Sequence, residues 1–188
     1  MKTNFKYLAV LAVVTFMVAS CTQDKKQDPF QISKQHIGLL TDSTQVKDLK
    51  LVFANDSIVS SIKGDEFTGQ NNDIEIYSVE GQKLLSLTPS QALDSTSVIK
   101  SIQILSEKYK TEKNISTLST FKDINEAYKI SSINNLINSV VISVNEINAS
   151  FTIDKKELPA NLRFDMTLTI EAVQIPDNAK IKYFMLHW

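Results

Sequence analysis

The side chains that most often carry acid–base or metal chemistry are sparse in this chain. It contains two histidines, His36 and His187, which lie 151 positions apart. An imidazole titrates near neutral pH and binds metal ions, so each histidine is a candidate base or ligand. Their spacing gives no reason to expect them together, and a separate, locally hydrogen-bonded role for each is favoured. The chain also lacks a glycine-rich phosphate loop, a nucleophile-elbow serine and a paired-histidine zinc motif.

Carboxylates supply two further candidates. The stretch from Asp65-Glu66 to Asp73 offers oxygen ligands for calcium, but it lacks the alternating order of a calcium-binding loop. A polar loop between strands is therefore favoured. Asp154 and Glu157 are close enough in sequence for acid–base catalysis, whereas a turn that follows a strand explains them more simply.

The densest basic cluster in the folded part is Lys108, Lys110 and Lys113 around Tyr109. Such a group can contact a phosphate or a polysaccharide, but the neighbouring acidic side chains at positions 107 and 112 offset much of its charge. A solvated loop is the favoured interpretation. Together, these candidates predict no catalytic residue, no metal site and no cofactor, and an enzyme is less favoured than a binding protein.

Cys21 is the only cysteine, so a disulfide within the chain is impossible. It follows a start that carries Lys2 and Lys6 and an uncharged run from Leu8 to Val18. A basic start, a short apolar run and small residues form the layout of a secretion signal. The run falls short of the about 20 residues that a membrane-spanning helix needs. We therefore predict that residues 1–20 are a signal peptide.

The sequence Val18-Ala19-Ser20-Cys21 resembles the lipobox of bacterial lipoproteins. The resemblance implies cleavage before Cys21, a diacylglycerol on its thiol and acylation of the new amino group. Two or more acyl chains hold a protein stably on a membrane. It also implies the bacterial cell envelope, and Thr22 in place of an aspartate favours the outer membrane, at its periplasmic or surface face. The alternative is an incidental thiol in an ordinary signal peptide.

Charge and length constrain the part of the chain after the signal. The whole chain has 20 basic and 21 acidic side chains, and removal of residues 1–20 takes Lys2 and Lys6, leaving 18 against 21, a net charge of −3. This balance argues against nucleic acid as a partner. Residues 21–29 contain the cysteine and a polar tether without apolar side chains from Thr22 onward. Residues 30–188 are predicted to form a single domain.

Period-two alternation and short β-branched runs predict a protein that is mainly β-sheet. The predicted strands cover residues 30–32, 58–62, 74–79, 84–87, 98–105, 140–144, 151–153, 164–170 and 181–186. Two pairs of these strands are joined by only a few residues, at Glu80-Gly81 and at 145–148. Connections this short predict two hairpins.

Helical spacing is confined to two segments, one starting near Thr44 and one near Ser119. Thr120 and Asp123 make a capping-box pattern, and Asp48 lies in the first turn of the earlier helix. The segments 44–53 and 119–128 align without a gap at an offset of 75 and share a lysine and an aspartate. This alignment indicates either a duplicated strand–helix–strands unit or two amphipathic helices that match by chance. The predicted fold class is α+β, mainly antiparallel sheet with two short amphipathic helices, with two related halves as an open possibility.

The pattern Phe30-Gln-Ile-Ser, then His36-Ile-Gly-Leu-Leu-Thr41 and Asp48-Leu49, followed by Leu84-Leu85-Ser-Leu87, resembles a family of uncharacterised bacterial lipoproteins. Its best-known branch is a sigma-E-regulated envelope lipoprotein. Leu39 stands where that family has a proline, and residues 158–188 extend past the family's expected end. The resemblance implies an envelope lipoprotein and no particular activity.

These observations predict a lipid-anchored envelope protein that binds another envelope component or a partner protein through its sheet, without catalysis. One alternative is a periplasmic or surface hydrolase with a carboxylate and histidine site assembled by the fold. Another is a surface glycan or nutrient binder, for which Trp188 and the five tyrosines have to converge on an open groove.

Overall fold

A computed structural model describes residues 28–63 and 71–188 of the chain. It contains twelve strands and two short α-helices within this part. The strands are β1 (Gln31–Ile32), β2 (His36–Ile37), β3 (Leu40–Thr41), β4 (Ser57–Lys63), β5 (Asn71–Tyr77), β6 (Lys83–Pro89), β7 (Ile99–Ile104), β8 (Lys110–Thr111), β9 (Ser132–Asn135), β10 (Ser139–Val144), β11 (Ala149–Asp154) and β12 (Ile181–His187). The helices are α1 (Leu49–Val52), which continues a 3-10 turn at Val46–Asp48, and α2 (Phe121–Ala127).

Eight of the strands form one sheet in the order β4-β5-β6-β7-β12-β11-β10-β9, and every neighbouring pair in it is antiparallel. The other four form a small sheet in the order β3-β2-β1-β8, in which β1 and β8 are parallel. The predicted α+β class with a mainly antiparallel sheet and two short helices is confirmed.

The alternation of side chains along each strand gives the large sheet one apolar face. A single row of directly opposed residues crosses all eight strands and is apolar throughout: Ile58, Ile76, Leu85, Ile104, Phe184, Phe151, Ile142 and Ile133. At its centre the rings of Phe151 and Phe184 lie 4.6 Å apart. This row is the base of the hydrophobic core.

The helices and the small sheet cover this apolar face. Leu49 of α1 and both Phe121 and Ile124 of α2 are buried in the core cluster. Ile32 and Ile37 of the small sheet belong to the same cluster. The apolar face of the sheet has to be removed from water. The helices are amphipathic, so they pack with their own apolar sides against this face.

Both predicted helices are present, and so are both predicted hairpins. The Asp123 carboxylate accepts a hydrogen bond from the backbone N–H of Thr120 at 2.7 Å, as the capping-box pattern predicted. The β5–β6 hairpin turns through Gly81, which has a φ of +79°, and the β10–β11 hairpin turns through Asn148, with a φ of +50°. The sequence therefore located the start of α2 and the tight turns correctly, whereas the helix predicted from near Thr44 begins as a 3-10 turn at Val46 and becomes α-helical only at Leu49.

The strand predicted at 164–170 is wrong. Phe164, Met166 and Leu168 alternate with polar residues, but all three are exposed and no strand pairs with the segment. The Asp165 carboxylate instead accepts hydrogen bonds from the backbone and side chain of Thr167, at 2.8 and 2.6 Å. A side chain that bonds its own backbone two residues ahead forms a turn and competes with sheet pairing.

Four strands were not predicted, namely β2, β3, β8 and β9. The first three contain two residues each, which is too short for any periodicity to be visible. The fourth, β9, is an edge strand with the sequence Ser-Ile-Asn-Asn and a single apolar side chain. Its strand conformation depends on pairing with β10 and not on local propensity.

The two halves of the large sheet repeat one arrangement. The first half has α1 followed by the meander β4–β7, the second has α2 followed by β9–β12, and the β7–β12 pair joins them. In each half, the residue before the helical segment bridges to the residue before the fourth strand. These bridges are Gln45 to Val98 and Thr120 to Lys180.

Hydrogen bonds around the two helices also repeat, and their donors lie at the offset of 75 seen in the sequence. Before the helices, Thr41 N donates to Thr44 Oγ1 and Ser116 N donates to Ser119 Oγ. At their first residues, Val46 N donates to Ser97 O and Phe121 N donates to Ala179 O. At their ends, Phe53 N donates to Leu49 O and Tyr128 N donates to Ile124 O. They extend beyond the ten aligned residues, which favours a duplicated unit over a chance match. The sequence also suggested that short strands at 30–32 and 102–104 open the two units. This is wrong for residues 102–104, which belong to the fourth strand of the first half.

Among the described residues, no helix is long and apolar enough to cross a membrane. The predicted signal peptide at 1–20, Cys21 and the tether up to residue 27 lie outside the described residues, as do Asp65 and Glu66 of the acidic stretch.

Candidate binding surface

The second face of the large sheet is mainly polar and lies opposite the face that the helices and the small sheet cover, although Glu75 and Ser150 on it are buried. The row of opposed residues next to the apolar row crosses all eight strands as Val59, Glu75, Ser86, Gln103, Met185, Ser150, Ser143 and Ser132. At about 4.8 Å per strand, this row is about 34 Å long. We call the face that carries it the open face. Its dominant chemistry is that of small hydroxyl groups, which donate and accept hydrogen bonds at little desolvation cost.

Two carboxylates on the open face, Glu75 and Asp73, each accept hydrogen bonds from neighbouring side chains. The Glu75 carboxylate accepts hydrogen bonds from the Tyr77 hydroxyl at 2.6 Å and from Lys83 Nζ at 2.8 Å, and it raises the pKa of Lys83. The Asp73 carboxylate accepts a bond from Thr88 at 2.9 Å. Ionised groups held in this way are positioned by their partners, which makes Glu75 and Asp73 poor candidates for a free acid or base.

His187 lies on the open face, at the end of β12. Its Nε2 is 2.8 Å from the hydroxyl oxygen of Ser150 on β11, and burial lowers the pKa of its imidazole. Among the described residues, no carboxylate lies within ion-pair distance of His187. The histidine therefore lacks the acidic partner that would make it a charged acid or orient it as a strong base.

His36 lies in the small sheet and contributes to a different site. Its Nδ1 is 2.5 Å from the hydroxyl oxygen of Ser33, and it lines a cavity of about 370 Å³ together with Glu112 and Glu146. Glu146 is paired with Lys113 at 2.8 Å, and neither carboxylate is within ion-pair distance of the imidazole. The two histidines share no hydrogen bond, in agreement with the separate roles that the sequence favoured.

The pair Asp154 and Glu157 forms a turn, as the simpler interpretation predicted. The Asp154 carboxylate accepts a hydrogen bond from Lys156 N and pairs with Lys182, both at 3.1 Å, and the Lys156 N–H contributes most to lowering its pKa. Glu157 accepts a bond from Lys180 N. A carboxylate with a lowered pKa stays ionised and is a poor general acid.

The basic cluster around Tyr109 is divided by the fold. Tyr109 is buried against Phe30, with ring centroids 5.2 Å apart, and burial raises the pKa of its phenol. Lys113 is held by Glu146, by the Ala127 carbonyl oxygen and by the ring of Tyr128. The aromatic ring is therefore not available to a ligand.

An aromatic groove is also absent from the described part of the chain. Tyr109 and Tyr128 are buried, and the indole N–H of Trp188 donates to the Lys34 carbonyl oxygen at 3.1 Å. Tyr77 and Tyr183 do lie on the open face, but on strands three steps apart, which is about 14 Å. The convergence that a glycan-binding groove requires is not formed by these residues.

The described residues contain no group of three or more histidine, cysteine or acidic side chains close enough to hold a metal ion. Asp73, the described member of the predicted calcium candidate, is bonded to Thr88.

Sequence reasoning missed the open face as a continuous surface. Its signal was present, because serine and other polar residues occupy alternate positions in β6, β7, β10 and β11. The order of the strands, which brings those positions into one row, could not be read from the sequence.

Comparison with known proteins gives a fold and no function. No protein-family model matches the chain, and no curated protein matches it in sequence. The crystal structure of the uncharacterised protein yfeY from Escherichia coli is similar, with a TM-score of 0.57 and 14% sequence identity over 84% of this chain and 99% of that chain. At this identity the likeness concerns the fold alone. It agrees with the resemblance to an uncharacterised family.

Proposed function

We propose that this chain is a lipid-anchored bacterial envelope protein whose domain binds a partner protein or another envelope component through the open face, without catalysis. The observation that carries the proposal is the mainly polar row that crosses all eight strands on the face opposite the helices, interrupted only by the apolar side chains of Val59 and Met185. A broad surface of this kind buries enough area for a specific complex, and its hydroxyl groups can exchange hydrogen bonds with a polar partner.

The arrangement of charged groups supports binding over chemistry. Glu75, Asp73 and His187 each have a partner within the open face. The cavities around His36, around Lys108 and around Lys155 are lined by residues outside the central row. A rigid, internally satisfied surface is suited to recognition, because few of its groups have to reorganise on binding.

Site-specific photocrosslinking in intact cells tests this role. A photoreactive residue at Gln103, in the middle of the open face, is expected to give one reproducible adduct. The same residue at the exposed Leu51 of α1 serves as the control. A second variant carries the photoreactive residue at Ser86 together with the substitution Gln103→Arg. The substitution adds bulk and charge in the middle of the open face, so it is expected to abolish capture of the same partner. Equal adducts from Gln103 and Leu51 would contradict the proposal.

The lipid anchor is tested separately by the variant Cys21→Ser. Loss of the only thiol removes the acylation site, so the protein is expected to leave the membrane fraction while its circular dichroism spectrum stays unchanged. Intact-mass analysis of the wild-type protein is expected to show the mass of the acyl chains on a chain that begins at Cys21. Retention of the variant in membranes, or a wild-type chain without added acyl mass, would overturn the anchor.

The cavity at His36 favours one alternative, a hydrolase, because it places an imidazole near Glu112 and Glu146. Purified wild-type protein and the variant His36→Ala, compared on a panel of ester, glycoside and peptide substrates, test it. Turnover that the variant loses would support the hydrolase and argue against a purely binding role.

A further inference from the structure

A cavity of about 700 Å³ lies at one corner of the large sheet, where β10 begins and β11 ends. Its wall includes the turn after β9, the first residues after β11 and the start of β12. Four cationic side chains line it, together with a single carboxylate: Lys155, Lys156, Arg163, Lys182 and Asp154. The cavity therefore carries a net positive charge, in a chain whose overall charge is slightly negative.

Lys155 is the unusual member of this group. It is 4% exposed, and its Nζ is buried without a hydrogen-bond partner among the described residues. Its backbone N–H donates to the Asn138 carbonyl oxygen at 3.0 Å, which fixes the position of the residue. Burying an ammonium group without a partner is costly, and such groups are normally paired. An anion in the cavity would supply the missing acceptor.

The nearby carboxylates are already engaged. Asp154 is neutralised by Lys182 at 3.1 Å. The Asp165 carboxylate is solvent-exposed and bonded to the Thr167 hydroxyl, which contributes most to lowering its pKa; Lys155 makes a smaller contribution. Arg163 donates its Nε–H to the Leu158 carbonyl oxygen at 2.7 Å, which orients the guanidinium group. The positive charge of Lys155 is therefore not offset by any of these groups.

The rim of the same cavity is apolar and exposed. Phe164 is 89% exposed, Ile137 69% and Met166 53%. The backbone that carries two of them is held in place, because Asn135 Nδ2 donates to the carbonyl oxygens of Asp165 and Leu168 at 3.0 and 2.9 Å. Cations beneath a rim of exposed apolar side chains fit a ligand that is anionic at one end and apolar at the other.

The register of the sheet places this corner at the end from which the described chain starts. Opposed pairs from β5 to β10 put the β5–β6 turn at the same end of the strands as the β9–β10 turn. Pro29 lines a pocket with Val79 and Glu80 of the β5–β6 turn. The seven residues 21–27 can span at most about 25 Å, so an acylated Cys21 would hold this end of the sheet close to the bilayer.

We propose that the cavity binds the phosphate headgroup of an anionic membrane phospholipid, with Phe164, Met166 and Ile137 entering the interfacial layer around it. The orientation toward the bilayer rests on the proposed lipid anchor, whereas binding of the headgroup does not. The site adds a second contact between the domain and the membrane and would present the open face in a fixed direction.

The test uses the full chain with Cys21→Ser, so that no acyl chain contributes. Its co-sedimentation is compared for vesicles of phosphatidylcholine alone and vesicles containing phosphatidylglycerol. Binding is expected to the anionic vesicles and to fall with added salt. Lys155→Met is expected to weaken it about fivefold, the effect of one basic group near an anionic surface. Phe164→Ser is expected to weaken it as well.

Matched controls change the same types of residue outside the cavity. Lys129→Met removes an exposed charge and Leu51→Ser removes an exposed apolar side chain, and both are expected to bind like the parent. Because Lys155→Met removes a buried charge without a partner, it is expected to unfold at a higher temperature than the parent, which separates lost binding from misfolding.

Three outcomes would overturn the proposal. They are equal binding to both kinds of vesicle, an equal loss for Lys155→Met and Lys129→Met, and calorimetric binding of inorganic phosphate without binding to vesicles. The last would assign the cavity to a free anion. None of them bears on acylation of Cys21, which is read from the intact mass, so failure of this site and failure of the anchor are distinguishable.

Discussion

At the scale of single residues, two glycines with positive φ have different surroundings. Gly38 has a φ of +54°, and a Cβ added to it would collide with the carbonyl oxygen of Pro29. Gly81 has a φ of +79° and open space around it. Gly38 thus lets the start of the described chain pack against the small sheet, whereas Gly81 is required only by its turn.

Gly38→Ala is expected to cost at least about 2 kcal/mol of unfolding free energy, because backbone strain and the collision with Pro29 add together. Gly81→Ala is expected to cost about 1 kcal/mol, since only the positive φ opposes it. Urea denaturation of the two variants measures the difference. Equal costs would show that the approach of Pro29 contributes nothing.

His187 gives a prediction about pH. Burial lowers its pKa below the ordinary value of 6.5, so the folded protein binds this proton less readily than the unfolded chain does. This contribution to stability is present above about pH 6.5 and is lost as the pH falls through the folded-state pKa. His187→Gln is therefore expected to lose less stability than the wild type between about pH 7 and pH 5. An NMR titration that places the pKa above 6.5 would contradict the assignment.

At the scale of elements, the two helices are equivalent in position but differ in their first turns. Asp123 in α2 accepts the Thr120 N–H, whereas the equivalent Asp48 makes no side-chain capping bond in α1. Consistent with this, α2 has seven residues and α1 has four preceded by a 3-10 turn. The capping bond is one physical reason for the longer helix.

Asp123→Ala is expected to lower the unfolding free energy by about 1 kcal/mol, the usual effect of losing a capping group. Asp48→Ala is expected to cost less, because it removes a favourable charge near a helix start but no hydrogen bond. Thermal or urea unfolding of both variants tests this. A larger loss for Asp48→Ala would contradict the difference between the helices.

At the scale of the whole molecule, the central β7–β12 pair joins two similar halves into one sheet. Ile104 of β7 is opposed by Leu85 on one side and by Phe184 on the other, and its side chain is 2% exposed. The apolar row therefore runs through the junction without interruption. Two meanders that share one core are expected to unfold together.

Ile104→Ala is expected to cost about 2–4 kcal/mol, the usual loss for a buried isoleucine. Because the core is shared, amide hydrogen exchange is expected to accelerate to the same degree in β4–β7 and in β9–β12. Loss of protection in one half only would show that the halves are independent units.

The local features of this protein could be predicted from its amino-acid order alone. Alternating apolar residues indicated most strands of the large sheet, helical spacing and Thr120 with Asp123 indicated the helix starts, and Glu80-Gly81 indicated a turn, because each depends on neighbouring residues in the chain. The predicted lipidation of Cys21 is equally local, and it stays a prediction.

The pairing of the strands, and the surfaces that their outer residues form together, became visible only in the folded chain. The polar row of the open face joins residues as distant in sequence as Val59 and Ser132, and the cationic cavity combines a turn, a strand end and the failed strand at 164–170. Contacts of this kind depend on strand order and register across the whole sheet. Local propensity contains no information about either, because both are set by the shared burial of the apolar row.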